Sequence, residues 1–213
     1  MQILQEISKT LEQGEEEQVE RLTRKAVDEG LSAKEILDGG LIAGMNVIGE
    51  KFRRHEIFLP DVLLAARAMY AGMDVIKPLL LRDKVPARGK VVVGTVQGDL
   101  HDIGKNLVGV MLRGAGFDVI DLGNDVSPEA FVETARKEGA GVIGMSALLT
   151  TTMPGMKRVI ALLQESGAAG TIRTIVGGAP VSKEFAAEIG ADAYGYDAAN
   201  AVDRVKELMT VAD

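Results

Sequence analysis

From Lys90 onward, short β-branched runs alternate strictly with helix-forming segments, a rhythm that few folds accommodate. The runs fall at residues 91–96, 118–122, 141–146, 171–176 and 193–196. Between and after them, apolar side chains at helical spacing predict helices over 103–114, 128–138, 154–166, 183–189 and 198–210. Strands and helices in strict alternation imply a doubly wound parallel sheet of five strands, covered on both faces. Such a sheet binds its ligand at the carboxyl ends of the strands, where the strand order reverses. Functional residues are therefore expected just after the strands.

Residues 1 to 83 carry a different rhythm, helical throughout, and predict a bundle of about four helices. Val19, Leu22, Ala26 and Val27 give a one-sided helix that Gly30 stops. Ser32 with Glu35 reads as a capping box for the next helix, which runs through Ile36, Leu41, Met45 and Ile48 towards Phe52. Pro60 suits the first turn of another. The polar stretch 84–90, with Pro86 and Gly89, marks a boundary between a helical domain over 1–88 and a sheet domain over 89–213.

Composition removes several function classes. The chain has 213 residues, a net charge of −7, no Trp, three Tyr and five Phe. It lacks the basic excess that binding to a phosphate backbone needs, and has few rings to stack on bases, so nucleic acid is not an expected partner. There is no Cys, which removes disulfides, thiolate zinc sites and iron–sulfur ligation. With only His55 and His101, a multi-histidine metal site is also excluded. The acidic N-terminal segment does not fit a targeting peptide, and no apolar run is long enough to span a membrane, so a cytoplasmic location is expected.

Three strand-to-helix loops hold the candidate chemistry. The first is Gly98-Asp99-Leu100-His101-Asp102-Ile103-Gly104. Its glycines match neither a dinucleotide fingerprint nor a P-loop. A histidine that ligates a metal through one ring nitrogen commonly donates the other N–H to a carboxylate, and Asp99, at the end of the incoming strand, is placed for that role. Equally, Asp102 could simply cap the next helix and His101 be a polar loop residue. The second loop is Ser146-Ala147-Leu148-Leu149-Thr150-Thr151-Thr152, and the third is Gly177-Gly178-Ala179-Pro180. Taken singly they read as a helix cap and a turn; together they line one edge of the expected sheet with small residues. A lone imidazole does not hold a free ion tightly, but it can be an axial ligand to a metal already held by a macrocycle.

Asp99-x-His101-x-x-Gly104, then Ser146-x-Leu148, then Gly177-Gly178, resembles the signature of vitamin B12-binding domains. The chain is similar in particular to the corrinoid proteins of methyltransferase systems and to the cobalamin-binding module of methionine synthase. The helical region shares the resemblance: Gly44-Met45-Asn46-x-Ile48-Gly49-Glu50-x-Phe52 and Glu56-Ile57-Phe58-Leu59-Pro60-Asp61-Val62 look like that family's cap domain.

The resemblance implies a four-helix cap followed by a flavodoxin-like, Rossmann-type B12-binding domain. It implies cobalamin or a related corrinoid, cycling between cob(I)alamin and methylcob(III)alamin, with His101 as lower axial ligand to cobalt in the base-off form. Asp99 and Thr152 would form a relay to His101; methionine synthase has serine where Thr152 aligns, so the hydroxyl is kept and a methyl added. Gly98, Asp102, Ile103, Gly104, Ser146, Leu148, Thr150, Gly177, Gly178 and Ala179 would complete the cofactor site. Phe52, Leu59 and Val62 would lie over the corrin, although the bundle core would also claim such residues.

The function implied is a methyl shuttle. It accepts a methyl group from a substrate-specific methyltransferase and passes it to an acceptor methyltransferase serving a folate or a thiol, with a reductive activator as a further partner. The chain has no room for either barrel, so it is not expected to be a complete catalyst alone. The rivals are a small subunit of an adenosylcobalamin mutase, a B12-dependent sensor or regulator, and a response-regulator-like module without corrinoid.

Overall fold

The computed structural model describes residues 2–210. The chain separates into two compact units that divide between Ala87 and Arg88, with Gly114–Gly116 grouped with the first.

The first unit contains α1 (Gln2–Glu12), α2 (Glu16–Asp28), α3 (Ala33–Ile36), α4 (Ala43–Arg53) and α5 (Leu59–Arg82). A π-helical turn, Leu37–Ile42, joins α3 to α4 without a break, so the unit consists of four helical rods. Ile3, Ile7 and Leu11 recur every four residues along α1 and are buried, as are Val19, Leu22 and Ala26 of α2. The Ser32–Glu35 capping box forms: the Glu35 N–H donates to Ser32 Oγ, and Glu35 Oε2 accepts from the Ser32 N–H at 2.9 Å. Pro60 is the second residue of α5, where its missing N–H costs nothing. The π turn was not foreseen. It contains Gly39 and Gly40, where a Cβ would come within 3.1 Å of Leu4 and 3.0 Å of Ile7, so the glycine pair lets α1 pack closely there.

The second unit alternates β1 (Lys90–Thr95), α6 (Ile103–Gly114), β2 (Asp118–Asp121), α7 (Pro128–Glu138), β3 (Val142–Ser146), α8 (Pro154–Glu165), β4 (Arg173–Gly177), α9 (Lys183–Ile189), β5 (Ala193–Gly195) and α10 (Ala198–Thr210). The sheet is wholly parallel, in the order β2-β1-β3-β4-β5. The order reverses between β1 and β3, which is where a doubly wound sheet opens its crevice. Val91–Val93, Ile143, Ile175 and Val176 are buried, as expected of strands covered on both faces. Phe131 and Met156, from α7 and α8, are fully buried in the same core, each contributing about 2–3 kcal/mol. Thr95, Ser146, Gly177 and Gly195 are in register across four strands, so the loops that follow leave from one level.

No helix among the described residues is long and apolar enough to cross a membrane.

Candidate functional site

The three loops singled out in the sequence leave the same carboxyl edge of the sheet, and Asp99 joins the first two of them. Its side chain is completely buried. One carboxylate oxygen, Oδ1, accepts from the His101 backbone N–H at 3.0 Å and lies 2.7 Å from His101 Nδ1. The other, Oδ2, accepts from the N–H groups of Leu148 (2.7 Å) and Leu149 (3.1 Å) and lies 3.0 Å from the Thr152 hydroxyl. The Asp99 carboxylate thus reaches a hydroxyl 53 residues away in sequence.

Burial by itself would raise the pKa of Asp99. The backbone N–H groups of His101 and Leu148, the His101 ring and the Leu149 N–H oppose it and hold the carboxyl well below its usual range. An ionised carboxylate can only accept, so His101 Nδ1 must be the N–H donor, and in the neutral ring the lone pair then lies on Nε2. The imidazole is half-exposed, with 53% of its side chain accessible.

A depressed carboxyl pKa carries a pH signature. Asp99 stabilises the folded sheet unit fully above its unfolded pKa of about 4, and this contribution is lost as pH falls through that value towards the lower folded one. Urea unfolding of the chain between pH 3 and 7 should therefore show a steeper acid-side loss for wild type than for Asp99→Asn. Parallel curves would mean that this carboxylate is not the source.

Thr152 Oγ1 lies 2.8 Å from the Leu149 carbonyl as well as 3.0 Å from Asp99. Its single proton therefore has two acceptors. The added methyl does not keep the hydroxyl from Asp99.

The other candidates divide by what surrounds them. Asp102 accepts the Asn106 N–H through its backbone carbonyl, at 2.8 Å, at the start of α6. Leu100, Ile103, Leu148 and Leu149 are all exposed, which leaves large apolar side chains on the loops that hold His101 and Asp99. Thr150 and Ala179 are exposed, and Ser146 is half-buried at the end of β3. The glycines differ in a way that sequence could not reveal. A Cβ on Gly178, at φ +124°, would lie 1.9 Å from the Ala147 carbonyl oxygen, and one on Gly177 would lie 2.9 Å from the Gly195 oxygen. Both are needed for the chain's own backbone contacts. Gly98, at φ +84°, would bring a Cβ only to 3.4 Å from Thr152. At Gly104 a Cβ would meet nothing within 4 Å, so the missing side chain leaves open space beside the loop of His101.

In the helical unit Phe52 and Leu59 are half-buried and Val62 is fully buried. His55 is an exposed residue at φ +58° between α4 and α5.

Sequence reasoning missed three residues. Lys105, in the first turn of α6, is buried, and its ammonium lies 2.6 Å from both oxygens of Asp121 at the end of β2. Asp125, in the β2–α7 connection, accepts the Gly98 N–H at 2.7 Å. Nothing local in the sequence pairs these residues; only the order of β2 beside β1 does.

No cluster of three or more potential metal-ligating side chains occurs among the described residues. The arrangement offers one fixed imidazole nitrogen, apolar surface on neighbouring loops, and space at Gly104. It suits a metal already carried in a macrocycle.

Comparison with known proteins agrees. Models described as B12 binding domain match residues 89–203 and, separately, residues 3–77. The chain is 41% identical to a corrinoid protein of Desulfitobacterium hafniense over 212 residues, covering 98% of each. It is 44% identical to dimethylamine corrinoid protein 1 of Methanosarcina acetivorans over 209 residues, again covering 98% of each. Among solved structures it is similar to a chain of the methanol:cobalamin methyltransferase complex of Methanosarcina barkeri. There the TM-score is 0.89 and the identity 32%, covering 98% of this chain and 80% of that one. With the helical and the sheet segment both matched and relatives above 40% identity over nearly the whole length, the chain belongs to the B12-binding corrinoid proteins.

Proposed function

We propose that this chain is a methyl shuttle that carries its corrinoid at the carboxyl edge of the sheet, base-off, with His101 Nε2 as the lower axial ligand. The observation that carries the reading is the fixed imidazole: a buried carboxylate holds the proton on Nδ1 and leaves the Nε2 lone pair on an accessible ring. The open space at Gly104 and the exposed Leu100, Ile103 and Leu148 support it, since a large group with an apolar periphery needs both. Around the ligand, Gly98, Asp102, Ile103 and Ala179 would receive the cofactor; Gly104, Ser146, Leu148, Thr150, Gly177 and Gly178 would border its displaced tail. When bound, the corrinoid supplies a cobalt nucleophile that takes up a methyl group and yields it again.

The chain's own residues tune that exchange. Asp99 fixes the tautomer and the direction of the ring, so that the lone pair of the neutral imidazole lies on Nε2. The Thr152 proton sets the degree: turned to Asp99 Oδ2 it withdraws charge from the carboxylate, and turned to the Leu149 carbonyl it restores it. Phe52 and Leu59 would provide an apolar lid that excludes water, with Val62 backing them from the core of the helical unit.

Corrinoid proteins named for dimethylamine and trimethylamine, and the methanol:cobalamin complex, support methylamines or methanol as the donor class and a substrate-specific methyltransferase as the donor partner. An acceptor methyltransferase for folate or thiol and a reductive activator complete the proposed cycle.

The test is reconstitution. Loaded with corrinoid and reduced, the chain should leave methanol and methylamines untouched alone, and take up a methyl group when one of a panel of methanol and methylamine methyltransferases is added. Consumption of donor by the chain alone, or no uptake with any of the panel, would overturn the shuttle.

Gly104→Ala separates a cofactor role from a structural one. In the apo-protein it should raise stability by about 0.5 kcal/mol, since alanine is the better helix former and meets no neighbour. Binding of hydroxocobalamin, measured by titration, should nevertheless weaken, because the methyl enters the space reserved for the cofactor. Unchanged affinity would remove Gly104 from the site.

A further inference from the structure

Between β1 and α6, the segment carrying His101 has no regular secondary structure, yet it must present one ring nitrogen in one direction. Asp99 fixes the ring, which leaves open what fixes Asp99. Part of the answer is local: the buried Thr95 hydroxyl donates to the His101 carbonyl at 3.2 Å. The rest comes from the next connection along the sheet edge, between β2 and α7.

Asp125 in that connection holds φ +53°, a left-handed conformation that few non-glycine residues adopt and that aspartate tolerates better than most. In that conformation it makes two bonds to the His101 loop. Its Oδ1 accepts the Gly98 N–H at 2.7 Å, and its own N–H donates to the Asp99 carbonyl at 3.0 Å. The two bonds grip the backbone on both sides of Asp99. A second tie lies close by: Lys105, two residues beyond Ile103, is bound to Asp121, whose Oδ1 also accepts the Gly123 N–H at 2.9 Å. The Gly123 carbonyl in turn accepts from the Thr95 N–H at 3.0 Å.

We infer that Asp125 is a positioning residue for the axial ligand: from the neighbouring loop it sets the backbone of Gly98 and Asp99, and through Asp99 the direction of His101 Nε2. This rests on His101 being the ligand, as proposed above. Asp125 acts at one remove, and its side-chain oxygen is the atom that matters.

Two variants of the full chain isolate that atom. Asp125→Asn keeps an oxygen acceptor and a residue that tolerates positive φ. Asp125→Gly keeps the φ and the backbone N–H but removes the acceptor for Gly98. Each is titrated with hydroxocobalamin as the probe, and the visible spectrum is read against wild type and His101→Ala as the two reference states. Amide hydrogen exchange of Gly98, Asp99 and His101 is followed in the apo-protein, and thermal unfolding gives the structural baseline.

Asp125→Asn should behave as wild type. Asp125→Gly should bind roughly tenfold more weakly, the effect typical of losing an outer-shell partner. It should also show a mixture of the two reference spectra and faster exchange at Gly98 in the apo-protein. A wild-type spectrum and affinity in Asp125→Gly, whatever its unfolding temperature, would overturn the inference, as would equal losses in Asn and Gly. Identical spectra for wild type and His101→Ala would instead remove the ligand assignment and this inference with it. Faster apo exchange in Asp125→Gly would then still report the backbone grip.

Discussion

Gly178→Ala is expected to cost the sheet unit about 3–4 kcal/mol, with no cofactor present. Two causes add. At φ +124° an L side chain is strained wherever it points, and the new Cβ would sit 1.9 Å from the Ala147 carbonyl oxygen, which is backbone and cannot rotate aside. The Ala147 N–H donates to the Gly177 carbonyl at 3.2 Å, so any retreat of the 177–180 turn also disturbs the β3 loop that carries Leu148 and Leu149. Those two N–H groups are donors to Asp99, and the damage therefore reaches the carboxylate that holds His101, the proposed axial ligand. Urea unfolding of the apo-protein measures the effect. A loss below about 0.5 kcal/mol would show that the turn adapts freely, and Gly178 would then need a reason in the ligand instead.

Asp99→Asn should have the largest effect on the site itself, and its direction follows from counting donors. The two backbone N–H groups at Oδ2, from Leu148 and Leu149, cannot reverse, so the asparagine oxygen must take that position. Its NH2 then faces the His101 loop. There the His101 backbone N–H loses its acceptor, and the ring can answer only by turning Nδ1 into an acceptor and moving its proton to Nε2. A protonated Nε2 has no lone pair to offer. The unsatisfied buried donors should cost about 2–3 kcal/mol, and corrinoid affinity should fall by roughly 10–100-fold. Nitrogen NMR of the apo-protein reads the tautomer directly: Nδ1–H in wild type, Nε2–H in the variant. The wild-type tautomer in Asp99→Asn would contradict the assignment of the hydrogen bonds.

Much of this architecture was legible in the sequence because local signals and the global fold agree. Ser127 with Pro128 and Gly139 mark both ends of α7, and Ser182 with Gly190 those of α9, so these helices run over the residues that the pattern predicts. Strand β4 slipped: 171–176 was expected, and Arg173–Gly177 forms. Thr171 and Ile172 are as β-branched as the strand itself, but they belong to a turn in which Ile172 bridges only to Ala169. The π turn at Leu37–Ile42 left no periodic trace, because one extra residue in a helical turn does not disturb an apolar stripe already interrupted by two glycines. Within the site, the nearness of Asp99 to His101 could be read from their spacing. The part played by Thr152 came only through resemblance, and that of Asp125 and of Lys105 with Asp121 not at all. Their partners are set by which loops the strand order makes neighbours, and that information is spread over the whole sheet.

The central claim is that His101 Nε2 ligates the metal of a bound corrinoid. The most direct measurement incubates the apo-protein with hydroxocobalamin, removes free cofactor by desalting, and records the visible spectrum of wild type and of His101→Ala side by side. Stoichiometric colour in wild type with an altered cobalt spectrum in His101→Ala is the predicted result. Identical spectra in the two would leave a corrinoid carrier but contradict the ligand, and a colourless wild type would contradict the corrinoid site as a whole.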